Sequence, residues 1–346
     1  MLTSKAIIFW KKHIYPKKMF KRLFLCFSLP AILFFLLVSD SLAEGIKIYS
    51  SINNNEWIVA DAIYPLKGDI IKLKVEKIEN ANIKWYQIVT DLFKTYKNAN
   101  RPWENDPYKW IGFSKIDYQR KELTQFRNKW EIIPYENLNY NEDKFINNPI
   151  YNNNTGSFWF QAEIEKNGIK YKTPGIEDSD NYGLSPKVFR ISIREKDSYL
   201  GYLTTFLNVP GLFGSIPYQS NNYIGVDCAD VLMVSYGKWK NKRIDRDYNI
   251  GMIMNEFKTV VKFKINEGKP SVNLKWGKDI IPGDFIAVKY FGGKQYQHIG
   301  ALYSDENKNG VLDEDDIIIH AGPYPLHKSY LNETNFDGDV VVIRHD

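Results

Sequence analysis

The first 43 residues differ from the rest of the chain and limit which part of it can build a globular fold. Basic residues are frequent up to Arg22, an apolar run spans 23–38, and the small residues Ser41 and Ala43 follow. This order is typical of a secretory signal peptide. The alternative is an uncleaved membrane anchor, but the run is short for a membrane span and contains Pro30. We therefore predict a signal peptide over 1–43 and a secreted, periplasmic or cell-envelope location.

Removal of this segment changes the charge of the chain. It contains seven of the 46 Lys and Arg residues and one of the 41 Asp and Glu residues, so 39 basic and 40 acidic residues remain. Proteins that bind nucleic acids need a basic surface. The near-neutral balance predicts no nucleic-acid partner, and the mature chain has no predicted membrane span.

The mature chain contains a single cysteine. Of the two cysteines in the sequence, Cys26 lies in the predicted signal peptide and Cys228 lies outside it. An internal disulfide is therefore impossible. A lone cysteine in an exported protein is either buried as a small apolar residue or used for its chemistry.

Short alternating segments predict an all-β domain over 44–195. The predicted strands are 69–78, 83–89, 158–166, 169–173 and 188–193. Asn167-Gly168 separates two of them, and this pair strongly favours a tight hairpin because both residues tolerate a positive φ. Several short strands with turns between them predict a β-sandwich, with an immunoglobulin-like fold as the expected form. The Asn- and Tyr-rich stretch 137–155 is predicted to be a long surface loop.

The pattern changes at residue 196, where helices precede strands. Ser198 can cap a helix whose apolar face includes Leu200, Leu203, Phe206 and Leu207 and which Pro210-Gly211 would end. A second helix is predicted from Cys228 to about Tyr236. The predicted strands that follow are 284–290, 298–303, 317–320 and 340–344. Helices followed by antiparallel strands predict an α+β domain over 196–346.

Cys228 stands where its thiol could be activated. Asp227 is a good N-cap residue, so Cys228 would begin the helix. The amides and dipole of a helix start favour negative charge, which predicts a lowered thiol pKa.

Two histidines could serve such a thiol. His298 begins one apolar strand and His320 ends the next, so a hairpin would place them at the same end. One could act as the base and the second could orient it. The alternative is a pair of structural histidines. His327 and His345 lie in polar segments near the C-terminus and are predicted to be surface residues.

Residues 198–346 resemble the NlpC-type cell-wall peptidases, a papain-like family. The motifs occur in the family's order: Val209-Pro210, Asp227-Cys228, Pro282-Gly283-Asp284, His298-Ile299-Gly300 and Ile319-His320-Ala321. The resemblance implies a papain-like domain with Cys228 as nucleophile, His298 as general base and His320 as the orienting residue. The implied reaction is hydrolysis of an amide bond in peptidoglycan peptides through an acyl-enzyme.

Three features depart from the family. Ala229-Asp230 replaces the usual Ser-Gly, and Asp230 could therefore select a different substrate. Gly211 replaces the tyrosine after the Val-Pro turn, so Tyr218 or Tyr223 could take its place in substrate binding. The spacing between His298 and His320 is also wider than usual. Two alternatives to a peptidoglycan peptidase stay open: an amidase, deamidase or acyltransferase for a non-wall substrate, and an inactive binding protein.

The segment between the two histidines predicts a calcium site. Residues 305–316 carry oxygen-bearing side chains at positions one, three, five, nine and twelve, with Gly310 at position six, as calcium loops do. The predicted ligands are Asp305, Asn307, Asn309, the carbonyl of Val311, Asp313 and Asp316. Asp at position twelve replaces the usual Glu, and the alternative is an ordinary Asn/Asp/Gly turn. We expect calcium to fix the hairpin that carries the two histidines.

Overall fold

A computed structural model describes most of the chain after the predicted signal peptide. The described residues are 45–90, 116, 118–134, 152, 154–322, 324–334 and 336–345. The predicted signal peptide and most of the predicted loop 137–155 lie outside them. Residues 45–346 form one compact unit by themselves.

The chain is rich in β-structure, and its first half forms two sheets. Their strands are β1 Tyr49–Ile52, β2 Ile58–Val59, β3 Ala62–Ile63, β4 Ile71–Lys74, β5 Asn82–Thr90, β6 Tyr118–Glu122, β7 Glu131–Ile132, β8 Gly156–Lys166, β9 Ile169–Lys172 and β10 Arg190–Ile193. One sheet has the order β2-β1-β4-β7. The other has the order β3-β10-β8-β5-β6, and β9 pairs with β8.

The predicted hairpin at Asn167-Gly168 is confirmed. β8 and β9 pair antiparallel with Lys166 opposite Ile169. Asn167 and Gly168 have φ values of 52° and 78°, the left-handed conformation that a two-residue turn of this type requires. Local turn chemistry therefore fixes the register of this ribbon.

The first two sheets share one hydrophobic core. It includes Leu73 and Ile132 from the smaller sheet and Trp85, Phe160 and Ile191 from the larger one. Trp85 is fully buried, and its indole Nε1 donates to the carbonyl of Lys129 at 2.8 Å. Two sheets around one core are what a β-sandwich requires. The immunoglobulin-like form of this sandwich stays a prediction.

The second half contains the four helices of the described chain and one larger sheet. The helices are α1 Tyr199–Thr204, α2 Pro217–Asn221, α3 Cys228–Trp239 and α4 Ile250–Glu256. The strands are β11 Lys258–Asn266, β12 Lys269–Pro270, β13 Phe285–Tyr290, β14 His298–Ser304, β15 Ile317–His320, β16 His327–Tyr330 and β17 Gly338–Arg344. Their order in the sheet is β12-β11-β17-β13-β14-β15-β16. None of the described helices is long and apolar enough to cross a membrane.

α1 is shorter than the sequence predicts. It begins after Ser198, whose hydroxyl caps Gly201 N–H, but it ends at Thr204 rather than near Pro210. The hydroxyl of Thr204 donates to Gly201 O at 2.7 Å, and that of Thr205 donates to Tyr202 O. These hydroxyls occupy carbonyl oxygens of the last helical turn. They therefore compete with the backbone N–H groups that would continue the helix.

The two faces of the large sheet are buried by different elements. Alternate residues such as Ile299, Ala301 and Ile319 join the core beneath the helices. Their neighbours, such as Leu302 and Ile318, join a separate core on the opposite face. Both faces are therefore apolar, which explains the near-continuous apolar runs of β13 and β15.

The two halves of the chain are packed together. The core beneath the helices also contains Ile88, Trp159, Leu184 and Val188, which come from the first half. Polar contacts add to this packing, because Lys328 Nζ in β16 donates to Glu195 Oε1 at 2.7 Å. The division into domains at residue 195 stays a prediction.

Candidate active site

The start of α3 is organised by its capping residue. Asp227 has extended backbone geometry, and its Oδ1 accepts hydrogen bonds from Ala229 N–H at 2.9 Å and Asp230 N–H at 2.8 Å. A side-chain cap of this kind stabilises a helix by about 1 kcal/mol. Cys228 is therefore the first residue of the helix, as the sequence predicts.

The Cys228 side chain lies between the helix start and strand β14. It is partly exposed and packs against the core beneath the helices. The backbone N–H of Ile299, the residue after His298, acts on the sulfur, as do those of Ala229 and of Cys228 itself. The structure thus brings the thiol to the backbone of Ile299 in β14.

The thiol pKa differs from the sequence-based expectation. Burial raises the pKa of Cys228, the carboxylate of Asp227 raises it further, and the nearby backbone amides only partly oppose this. The amides of the helix start act in the expected direction, but burial and the Asp227 charge outweigh them, so the net direction is opposite to the prediction. The helix dipole is a local property of the sequence, whereas burial of the sulfur arises only in the folded chain.

The predicted hairpin of β14 and β15 is confirmed and brings its two histidines together. Gly300 pairs with His320 across the ladder, and His298 lies two residues before Gly300 on the same face. The Nε2 atom of His298 and the Nδ1 atom of His320 are 2.9 Å apart, within hydrogen-bonding distance. Since Gly300 has no side chain, the two rings can meet across it.

Both imidazoles are held in the neutral form. Burial, and then the charge of His327, lower the pKa of His298 to about 4. The pKa of His320 is also lowered well below its ordinary value, by burial first and then by the charges of His327 and His298. A neutral imidazole has one donor nitrogen and one acceptor nitrogen, so each ring can both give and receive one hydrogen bond.

His327 and His345 are not the surface residues that the sequence predicts. His327 pairs directly with His320 across β15 and β16, and the two ring centroids are 4.4 Å apart. His345 packs on Tyr199 and Phe285, with ring centroids 4.2 and 4.7 Å away. Both histidines are half-buried, His327 through the pairing of β16 with β15 and His345 through its aromatic contacts just after β17. The polar residues around them give no sign of these contacts.

Asp230 lies inside the protein beside the helix start. Its carboxylate is 2% exposed and accepts a hydrogen bond from Ser215 Oγ at 2.6 Å. The same Ser215 Oγ accepts a hydrogen bond from Asp227 N–H at 3.0 Å. Burial, and then the charge of Asp227, raise the pKa of Asp230 to about 7. In this position Asp230 fixes the loop before α3, while its predicted substrate contact stays untested.

The two tyrosines predicted to bind substrate occupy different environments. Tyr218 is 38% exposed and contacts Tyr182 edge to face. Tyr223 is 1% exposed, stacks on Phe206 with centroids 4.2 Å apart, and faces the Arg190 guanidinium at 3.9 Å. Direct contact between Tyr223 and a substrate would require its ring to leave this core.

Tyr290, at the end of β13, is a tyrosine near the thiol that the sequence analysis missed. Burial raises the pKa of its hydroxyl to about 12, and the charge of Cys228 contributes to this rise. Such an interaction places the phenol in the electrostatic field of the sulfur. No local sequence pattern indicates this, because the pairing of β13 with β14 brings the two residues within electrostatic range.

The predicted calcium loop is ordered by its own polar side chains. Asp305 accepts hydrogen bonds from the backbone N–H of Asn309 at 3.1 Å and of Gly310 at 2.8 Å. Asn307 Nδ2 and Asn309 Nδ2 both donate to Asp313. Gly310 has a φ of +79°, so the turn uses the glycine as calcium loops do. Asp305, Asn307, Asn309 and Asp313 therefore converge on one side of the loop.

The twelfth position is held differently. Asp316 is fully buried, its Oδ2 accepts from Trp276 Nε1 at 2.8 Å, and its Oδ1 accepts from Glu306 N–H at 3.2 Å. Among the described residues, no three His, Cys, Asp or Glu side chains are grouped around a metal position. Asn side chains and a carbonyl group make up half of the predicted ligand set, so the predicted site does not need such a group. The donor chemistry of the loop thus fits calcium at its first positions, while Asp316 is engaged by Trp276.

Comparison of the chain with protein-family models, with curated proteins and with solved structures found no match. The resemblance to NlpC-type peptidases therefore rests on the order of the motifs alone.

Proposed function

We propose that this chain is a secreted thiol hydrolase that cleaves amide bonds, with Cys228 as the nucleophile, His298 as the general base and His320 as its orienting partner. The observation that supports the proposal is the hydrogen bond of 2.9 Å between the two imidazoles. The Cys228 sulfur contacts the backbone N–H of Ile299, the residue after His298, and the approach of the sulfur to the His298 ring is part of the proposal. Nucleophile, base and orienting group form a chain of this kind in thiol and serine hydrolases.

The proposed mechanism begins from a neutral thiol and a neutral imidazole. Nε2–H of His298 donates to Nδ1 of His320, so Nδ1 of His298 keeps the lone pair that can accept the thiol proton. The thiolate attacks the substrate carbonyl carbon, and the backbone N–H of Cys228 helps to hold the oxyanion. His298 then gives its proton to the departing amine, and water hydrolyses the thioester by the reverse sequence of proton transfers.

The arrangement around the thiol supports a papain-like domain. α3 packs against β14, and the helices lie on one face of an antiparallel sheet that carries both histidines. In this proposal the β-rich first half positions or anchors the catalytic half at the cell envelope.

Peptidoglycan peptides are the substrate we propose, because the ordered motifs resemble those of cell-wall peptidases. The main alternative keeps the thiol chemistry and changes the substrate to another amide. The main support for this alternative is that Asp230 could select a different substrate. The buried position of Asp230 weakens that support, because a carboxyl group bonded to Ser215 does not present its charge to a ligand.

We also propose that a calcium ion binds the loop 305–316 through Asp305, Asn307, Asn309, the carbonyl of Val311, Asp313 and Asp316. A bound calcium ion would neutralise the carboxylates and stiffen the connection between β14 and β15. It supplies no catalytic step, and its role is structural.

Mass spectrometry of purified peptidoglycan after incubation with the mature protein, with calcium present, tests the function. The Cys228→Ala variant is the matched control. We expect new fragments with the natural protein only, and their masses identify the bond cleaved. Intact peptidoglycan in both samples would contradict the wall substrate, and a screen of other peptide amides would then decide whether the thiol is catalytic.

A further inference from the structure

A third histidine lies against the proposed catalytic pair. His327 is directly opposite His320 in the pairing of β15 and β16, so both side chains project from the same face of the sheet. Their ring centroids are 4.4 Å apart with an interplanar angle of 55°. The ring centroids of His298 and His320, in comparison, are 5.0 Å apart with an interplanar angle of 82°. The contact between these two rings is the hydrogen bond between their nitrogens. His327 therefore packs on the ring of His320 rather than extending the hydrogen-bonded pair.

One proton of His327 is fixed by the backbone. Its Nδ1 atom is 2.8 Å from the carbonyl oxygen of Pro325, and a carbonyl can only accept. Nδ1 must therefore carry hydrogen, and in the neutral ring Nε2 has the lone pair. The turn before β16 thus sets the tautomer and the orientation of His327.

In contrast, the one side-chain hydrogen bond that His320 forms among the described residues is with His298. Its Nδ1 atom meets His298, while its buried Nε2 atom has no hydrogen bond of normal geometry within the described chain. A contact with the Gly322 backbone also acts on the ring. The rest of the restraint is packing, which comes from His327 and from Phe336, whose ring centroid is 5.6 Å away. A ring that is held so weakly on one side needs a rigid neighbour to keep its orientation.

We propose that His327 is a positioning residue of this site, which holds the His320 ring in the orientation that accepts the hydrogen bond from His298. Its catalytic consequence rests on the proposed function, whereas its effect on the two imidazoles does not. His327 acts through His320 and does not contact the reacting atoms. The anchor to Pro325 and the ring contact with His320 are the two parts of this role.

Three substitutions separate these two parts. H327F keeps an aromatic ring but loses the hydrogen bond to Pro325. H327N keeps a donor close to the position of Nδ1 but loses the ring. H327A loses both. Y330A is the matched control, because Tyr330 is an exposed residue of the same strand. It reports any general loosening of β16.

The first readout is imidazole ¹⁵N NMR of the whole mature protein, which identifies the protonated nitrogen of each ring. We expect His298 to be protonated on Nε2 in the natural protein and in Y330A. In H327A we expect a mixture of tautomers at His298 and His320. H327F and H327N should give intermediate populations, and they keep the test valid if H327A does not fold.

The second readout is turnover of the amide substrate found by the peptidoglycan experiment or the peptide screen. We expect kcat to fall about tenfold or more in H327A, with KM changed much less, because orientation of an acid–base group affects the transition state. Unchanged tautomers in all three His327 variants would overturn the positioning role. Altered tautomers in a protein that turns over no amide would uphold it and refute the proposed function instead.

Discussion

His298 and His320 meet across a residue that has no side chain. Their nitrogens are 2.9 Å apart, and Gly300 lies between them in the ladder, paired with His320. A Cβ atom at Gly300 would be 2.9 Å from Cβ of His320 and 2.9 Å from the carbonyl oxygen of Ile319. The glycine is thus part of the geometry that lets the imidazoles approach.

The Gly300→Ala substitution should therefore separate the two rings. We expect a loss of amide-hydrolysis rate of about tenfold or more, and a loss of stability of about 1–3 kcal/mol from overpacking. Steady-state kinetics and urea unfolding measure the two effects. Gly251→Ala is the matched control, because Gly251 lies exposed in α4 and its added Cβ meets only Asn249 Oδ1, at 3.3 Å. Equal activity of the two variants would contradict the role of Gly300.

The reactivity of Cys228 should rise steeply with pH. Burial and the Asp227 carboxylate raise the thiol pKa, and the thiolate is the form that reacts with iodoacetamide. We expect slow alkylation at pH 5 and a rate that still increases above pH 8. The Asp227→Asn variant keeps a capping side chain but removes the charge. Burial raises the pKa of Asp227 to about 6, so the thiol of the variant should react faster above about pH 6 and similarly at pH 5. Full reactivity of the natural protein at pH 5 would show that the thiol pKa is lowered instead.

Asp230 should make the protein less stable at alkaline pH. Burial, and then the charge of Asp227, raise its pKa from the ordinary 3.8 to about 7 in the folded state. Its stabilising contribution is therefore complete below about pH 4 and is lost as the pH rises through about 7. The Asp230→Asn variant stays neutral, so it should be more stable than the natural protein by on the order of 2 kcal/mol at pH 8 and similar at pH 4.

Urea unfolding at several pH values measures this difference. Asp61→Asn is the matched control, because Asp61 is exposed. It should leave the pH dependence unchanged. A pH profile of Asp230→Asn that is parallel to that of the natural protein would disprove the proposed cause.

Calcium should be detectable through Trp276. Its indole Nε1 donates to Asp316 Oδ2 at 2.8 Å, so an ion bound by the loop would change the surroundings of the indole. We expect calcium to shift the tryptophan emission and raise the Tm, since a ligand of the folded state stabilises it. Asp313→Asn should weaken calcium binding about tenfold or more, because a carboxylate is lost from the ligand set.

Two variants interpret the calcium titration. Trp276→Phe should abolish most of the emission change but keep the rise in Tm. Lys308→Asn is the matched loop control, because Lys308 is outside the predicted ligand set and Asn tolerates its φ of 58°. An identical Tm in calcium and in a chelator would rule out the site.

The sequence predicts those parts of the fold that depend on neighbouring residues. The cap at Asp227, the hairpin at Asn167-Gly168 and the pairing of the His298 and His320 strands all follow from local patterns. The β11 strand was missed although Phe263 and Ile265 alternate with lysines and are buried. The alternation that predicts a strand is therefore present in the sequence of β11.

The remaining features depend on contacts between distant segments. The β16 strand has no apolar alternation, so only its pairing with β15 shows that His327 packs on His320. The thiol pKa of Cys228 depends on the burial that β14 supplies, which a helix considered by itself does not include. Tyr290 likewise comes near the sulfur only when the sheet has formed.

Glu195 joins the segment before residue 196 to the sheet that carries the histidines. Its carboxylate accepts hydrogen bonds from Lys328 and from the hydroxyl of Tyr303, which belong to strands of the histidine-bearing sheet. A fragment starting at residue 196 would leave Lys328 without its acid, beside His327. Fusion of residues 196–346 to a foreign partner would therefore need a carboxylate in the place of Glu195 to keep these contacts.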